Sequence, residues 1–408
     1  MVHAHGETAD VVVVGGGVVG AACAYHLAEV GLQVVLLERE AIASGASTHA
    51  TGGFSLLGTD FRQGPHLELG IHSDRLTRDL IPHLESLTGV DVRYQRPPGL
   101  RLALDDEEAE FIKAALTWQR DLVQVEWLDG ADTRKIEPRL SPSVLGAAYE
   151  SETAQVDSAR LTLAFAMGLE KLGGRIVLRA ATGLLRAGDQ ITGIEYSGGG
   201  KIASGSVVLA MGVWSGLASK WIKYHLPLYP LKGERILLKY PGEPLRAIIF
   251  SPKRGHMISL SGGELSVGST GGRDFDSVQA EVAPEWQPQP SDSMPTQTAL
   301  LELVQRAIDI LPSASEAEVV QQLAGVRPMT PDRMPLLGPA PSTSGLYLAT
   351  GHGTKGVHLA AGTAKVITDL ITTGISSLPV DIGEFSPTRR IDPGLLVSSL
   401  RGSTFADD

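Results

Sequence analysis

Four β-branched residues, Val11–Val14, run straight into GGGVVG, and an alanine-rich helical stretch, AACAYHLAEVG, follows. A buried strand, a glycine turn and a helix in that order leave few options for the fold. Gly15, Gly17 and Gly20 supply G-x-G-x-x-G. The first glycine makes the tight turn, the second lets the backbone meet a pyrophosphate, and the third allows close helix–strand packing. The helix start adds unpaired N–H groups and a positive dipole end. LQVVLLERE reads as a second buried strand. Glu38, at its end, is placed to accept hydrogen bonds from a ribose diol. This unit predicts a parallel dinucleotide-binding sheet, and by itself it does not choose between NAD and FAD.

The rest of the chain extends that plan. Residues 66–88 read as a helix interrupted near Pro82, RYQRPPGLRLAL as a turn into a strand, and DDEEAEFIKAALTWQRDLV as a helix with an acidic start. VDSARLTLAFAMGLEKL is a helix opened by Asp157, GGRIVL a strand, and KIASGSVVLAMGVWSG a strand pair entering a small-residue turn. Short alternating strands with Gly and Pro turns over 225–270 predict an antiparallel sheet. PEWQPQPSDSMP, with its prolines, reads as a loop inserted before the helix QTALLELVQRAIDIL. GLYLATGHGTKGVHLAAGTAKVITDLI is again strand, glycine turn and helix. The expected fold is α/β: a discontinuous Rossmann-like domain (1–90, 150–222 and 325–378) with an inserted, mostly antiparallel substrate domain (91–149 and 223–324) and a C-terminal tail (379–408).

Charge and composition narrow the function. With 35 basic and 46 acidic residues the net charge is −11, which disfavours nucleic acid and anionic lipid as bulk partners. The lone Cys23 permits no intramolecular disulfide and no cysteine metal cluster, and its helical setting reads as a buried, inert thiol. MVHAHGETAD has no Lys or Arg, which argues against a secretory signal. The apolar run 11–27 is broken by four glycines, so it is not expected to span a membrane. A cytoplasmic setting follows. No Walker A, G-x-S-x-G, H-E-x-x-H or paired His/Asp metal spacing is found, so no kinase, hydrolase triad or metal site is expected.

The choice of cofactor comes from a series of motifs: LLERE leading into SGASTHATGG, GGRIVL after VDSARL, then VVLAMGVWSG, LAGVRPMTPDRMPLLGP and LYLATGHGTKGVHLAAGTAKVITDLI. This order resembles the D-amino-acid-oxidase-like family of FAD enzymes, which includes glycine oxidase, sarcosine oxidase and D-amino acid dehydrogenase, from about Asp10 to Gly374. The resemblance implies FAD. Gly15, Val18 and Val19 would hold its pyrophosphate, within the Gly15–Gly17–Gly20 turn, and Glu38 and Arg39 its adenosine ribose. Ser47, Thr48, Gly52 and Gly53 would lie along the ribitol and flavin, and the Val177 backbone would meet adenine. Gly351, His352, Gly353, Thr354, Lys355, Gly356 and Val357 would close over the pyrimidine side, His352 through its backbone. The small residues of Ser44–Gly53 would then be small because the flavin ring lies against them. Thr48–His49 aligns with a tryptophan–histidine pair whose histidine carries the flavin covalently in the dimethylglycine and sarcosine dehydrogenase branch. With threonine in place of the tryptophan, His49 is either such an anchor or a histidine bonded to backbone or solvent.

The same resemblance places the substrate. Arg327, in LAGVRP, matches the carboxylate-binding position of glycine oxidase, and a planar guanidinium suits that task. Lys355, in GHGTKG, is similar to a second carboxylate contact in monomeric sarcosine oxidase. Ser266 stands where that enzyme has its oxygen-activating lysine. Tyr229, Lys232 and His256 fall on strands expected to roof the pocket, with His256 a further catalytic candidate. The implied reaction oxidises the C–N bond of a small amino acid or N-alkyl amino acid by hydride transfer from the α-carbon to flavin N5. The resulting imine hydrolyses, and the electrons pass to oxygen, a quinone or a carrier protein. Two other readings stay open: a 2-hydroxy acid or glycerol-phosphate dehydrogenase of the same superfamily, and an FAD-carrying subunit of a heteromeric dehydrogenase. A homo- or hetero-oligomer is compatible with all three.

Overall fold

The computed structural model describes residues 7–57, 61–271 and 290–391. Half of the proline-rich loop at 284–295 lies outside these, and its described part includes a short 3₁₀ turn, Pro290–Ser293.

The continuous apolar run at the start of the chain is explained by burial on both faces. The strand Glu7–Val14 sits between Val34–Glu38 and Gly200–Leu209, all three parallel. Val11, Val13, Val34, Leu36 and Val208 point into one core, shared with helices Val18–Glu29, Ser158–Lys171 and Gly356–Thr372. Val12, Val14, Val35, Leu37 and Leu209 point into the other, under the segment around Ala218–Leu226. A strand that buries alternate residues on opposite sides has no polar face to show. Each such valine or leucine contributes roughly 1.5–3 kcal/mol of transfer free energy. The sheet continues through Arg175–Leu178 on one side and Leu346–Thr350 and Leu336–Pro339 on the other.

The second sheet follows the order Glu318–Met329, Tyr229–Lys239, Glu264–Gly268, Gly255–Ser259, Ile248–Ser251, Gly99–Ala103, Gly146–Glu150, Val125–Asp129. All its pairings are antiparallel except that of Ile248–Ser251 with Gly99–Ala103. Leu100, Leu102, Ile236, Leu238, Ile249 and Met257 face a core covered by helix Gln297–Ile310. The residues between them, including Arg101, Arg235, Phe250 and His256, face the first domain across a cleft. Residue 325 lies within the strand Glu318–Met329, so Arg327 is carried by this second sheet.

Three local expectations need correction. Helix Pro65–Thr88 is continuous through Pro82. Pro82 is exposed, while Leu67, Leu69, Ile81 and Leu84 of the same helix are buried, so packing outweighs the roughly 3 kcal/mol that an interior proline costs. The expected strand pair at 200–209 is one ten-residue strand. Its first half pairs with Gln190–Tyr196, its second with Leu346–Thr350, and most of its length with Glu7–Val14. Residues 379–391 of the expected tail are docked. Phe385 is fully buried beside Leu337 and Leu359, and Arg389 pairs with Asp332 at 2.7 Å while donating to the Met334 and Pro335 carbonyls.

The glycine turn is packed backbone to backbone. A Cβ on Gly20 would overlap the Gly15 carbonyl oxygen, and one on Gly15, whose φ is +110°, would overlap the Ala210 carbonyl. Gly20→Ala should therefore lower stability by about 2–3 kcal/mol, the usual cost of overpacking, read as a lower urea midpoint with an unchanged m-value.

Candidate active site

The cleft between the two sheets has a volume of about 380 Å³ and runs from the glycine turn to the 352–358 segment. At the turn, helix Val18–Glu29 begins with no side-chain cap from Gly17. Val18 N–H donates to Ser47 Oγ at 2.9 Å, and Gly16 N–H to Glu38 Oε2 at 2.6 Å. Gly15, Gly17, Val18, Val19, Glu38 and Arg39 all line this end. Gly20 does not; it serves the helix–strand contact. The Arg39 guanidinium lies 4.5 Å over the Trp214 ring, which closes the cleft here. Val177 is not in the wall: its side chain packs into the neighbouring core, and Arg179 and Ala180 line the cleft instead.

The small-residue loop is pinned from behind. Ser158 Oγ donates to the Ser47 and Ala50 carbonyls, and Thr48 Oγ1 to the Ala43 carbonyl. Ser47, His49, Gly52 and Gly53 line the main cleft; Thr48 faces a smaller side cavity. Part of the loop's smallness serves the protein itself, because a Cβ on Gly52, φ +75°, would overlap the Val156 carbonyl. His49 lies across Gly325 of the opposite sheet, 2.8 Å from where a Cβ would be. Its Nδ1 is buried without a hydrogen-bond partner, and burial, together with the charge of Arg235, holds the imidazole below its usual pKa.

The far end is built by the strand Leu346–Thr350, a turn and helix Gly356–Thr372. His352, Gly353, Thr354, Lys355, Gly356 and Val357 line it. Gly351, φ +77°, lies behind them against Thr330. The His352 ring contacts Thr363 Oγ1 at 2.9 Å rather than projecting freely into the cleft, and burial pushes its pKa down to about 3. Lys355 Nζ sits 4.7 Å over the Phe61 ring and 3.4 Å from the Ser55 carbonyl.

In the roof, Arg327 donates to Ser269 Oγ at 2.6 Å and the Gly271 carbonyl at 3.2 Å, and its guanidinium folds over Gly233. A side chain at Gly233 would displace it. His256 lines the roof near Gly268. Tyr229 and Lys232 do not line the cleft; Lys232 pairs with Glu234. Ser266 is fully buried and accepts from Arg235. Arg235, Arg101 and Trp214 are site residues that the motifs did not single out. No sequence signal marks Arg235, because the ladder between Tyr229–Lys239 and Glu318–Met329 decides which side chains enter the cleft.

Residues 10–370 match the DAO family, whose description is FAD dependent oxidoreductase. The chain belongs to that family. It is 32% identical to glycine oxidase of Pseudomonas putida over 386 residues, covering 94% of this chain and 99% of that one. The solved glycine oxidase of Geobacillus kaustophilus superposes with a TM-score of 0.84 at 28% identity, covering 95% and 100%. Hydrogen cyanide synthase subunit HcnC of Pseudomonas aeruginosa is 27% identical, covering 94% and 96%.

As a DAO-family enzyme the protein is an FAD-dependent amino acid oxidase or dehydrogenase. The cleft fits that cofactor. An uncapped twelve-residue helix start faces one end, a second helix start faces the other, and a buried imidazole nitrogen between them lacks a protein partner. The described residues hold no group of His, Cys, Asp or Glu suited to a metal ion and no helix long and apolar enough to cross a membrane.

Buried neutral His352 ties stability to pH. Its folded pKa lies below the ordinary 6.5, so the unfolded chain binds more protons as the pH falls from about 6.5 towards 3. Its stability contribution is complete above pH 6.5 and is lost through that window. Urea unfolding of His352→Gln across pH 7 to 4 should have a slope shallower by about 1 kcal/mol per pH unit.

Proposed function

We propose that the protein oxidises the C–N bond of a small amino acid or N-alkyl amino acid, with Arg327 binding the substrate carboxylate. The observation that carries this reading is the Arg327 guanidinium lying over Gly233 in the roof of the cleft, opposite the loop 44–53. FAD, when bound, supplies the hydride acceptor. The chain's residues do the positioning. Arg327 fixes the carboxylate through a planar fork, and its own bond to Ser269 fixes the fork. The second sheet covers the reacting carbon and excludes water, so that electrostatic orientation acts in a low-dielectric space. Gly15, Val18 and Val19 would hold the pyrophosphate, Glu38 and Arg39 the ribose, Ser47, Gly52 and Gly53 the flavin side, and 352–357 the pyrimidine end. Lys355 and His256 are secondary candidates for the substrate.

The likeness to HcnC favours one second reading, in which the protein works as a subunit of a larger dehydrogenase. Copurification of a second polypeptide with a flavoprotein that no free amine reduces would support it.

Anaerobic mixing with glycine, sarcosine, D-alanine, proline and lactate tests the main reading. An amine should bleach the flavin and lactate should not; bleaching by lactate alone would overturn it. Arg327→Gln should cut kcat/KM for the best amine about a hundredfold, the loss expected for a charge-assisted pair. His49 is tested separately by acid precipitation: yellow colour retained in the pellet would establish a covalent flavin link, and colour wholly in the supernatant would exclude one.

A further inference from the structure

The pairing of Tyr229–Lys239 with Glu318–Met329 sets two guanidinium groups on one face of the roof. Gly233 pairs with Gly325, Leu231 with Arg327 and Arg235 with Leu323. Arg327 folds back over Gly233. Arg235 is the next residue on that face, roughly 7 Å along the strand. Arg235 leans onward to Ser266, opposite Leu237, and both arginines line the same cleft.

Arg235 is not held as a structural arginine usually is. Its Nη1 donates to Ser266 Oγ at 3.1 Å, its Nε is buried without a partner, and no carboxylate among the described residues pairs with it. A largely desolvated guanidinium without a counter-charge is costly unless an anion arrives. The one described carboxylate that acts on it, Asp157, does so from across the smaller side cavity without an ion pair. At this end of the cleft the lining also contains Arg101 and Lys355. Among the described residues the lining carboxylates are Glu38, at the glycine turn, and Glu234, which is occupied by Thr296, Gln322 and Lys232. In a protein of net charge −11, this is a concentrated positive field aimed inward.

We propose that the substrate carries two acidic groups, the first bound by Arg327 and the second by Arg235, making it a dicarboxylic amino acid or an N-carboxyalkyl amino acid. The identity of the oxidised bond rests on the function proposed above; the second anion site does not.

Two measurements separate these claims. In the first, the flavin absorbance of the holoprotein is titrated with non-oxidisable carboxylates, succinate and glutarate against propionate and butyrate. The dicarboxylates should bind at least tenfold more tightly. Arg235→Gln should erase that ratio, Arg235→Lys should restore part of it, and Arg327→Gln should weaken both classes. Equal binding of both classes by the wild type, or an equal loss of both in Arg235→Gln, would overturn the second site and return Arg235 to a packing role. In the second, anaerobic flavin reduction is compared for aspartate enantiomers and iminodiacetate against D-alanine and sarcosine. Faster reduction by a dicarboxylic amine, lost with Arg235→Gln, supports the proposal, and preference for the monocarboxylic amines opposes it. A dicarboxylate preference in the titration with no amine reducing the flavin would keep the site and sink the amine reading.

Discussion

The whole arrangement hangs on backbone contacts at Gly15 and Gly20. The end of the first strand, the start of the first helix and the residue after Gly200–Leu209 meet so closely that two hydrogens stand where methyl groups cannot. That contact aims the helix start into the cleft and brings Ser47 and Glu38 within bonding distance of the turn. Shift it by the width of a methyl and the small-residue loop loses its anchor to the same turn. The second sheet can then cover a site only if this corner is in place.

Legibility from sequence followed the range of the forces involved. The glycine turn, the parallel strands and the helix start at Asp157 depend on neighbours in the chain, and they could be read directly. At Pro82 local propensity favours a break, whereas the helix is held by side chains from distant elements. The two halves of 200–209 have different partners, and only the tertiary fold joins them into one strand. The same limit hid Arg235: Tyr229 and Lys232 are as conspicuous in sequence, but the ladder with Glu318–Met329 decides which side chains enter the cleft. The loop 44–53 taught a mixed lesson. Its small residues do border the cleft, yet Gly52 is also demanded by the Val156 carbonyl, a contact invisible in any motif.

Charge is partitioned in a way that composition conceals. The chain is acidic overall, while the cleft lining carries Arg39, Arg101, Arg179, Arg235, Arg327 and Lys355. Arg39 packs over Trp214 near the glycine turn, and Lys355 belongs to the 352–358 end. A field of this kind raises the local concentration of anionic ligands and weakens with salt.

The docked end of the chain gives this roof a remote brace. Arg389 grips Asp332 and the carbonyls of Met334 and Pro335, five to eight residues beyond Arg327. The turn that leaves the roof strand is thus tied down by a residue that contributes nothing to the cleft. A protease nick or an engineered truncation upstream of Arg389 would loosen the Arg327 end of the roof strand from outside, sparing every group that lines the cleft.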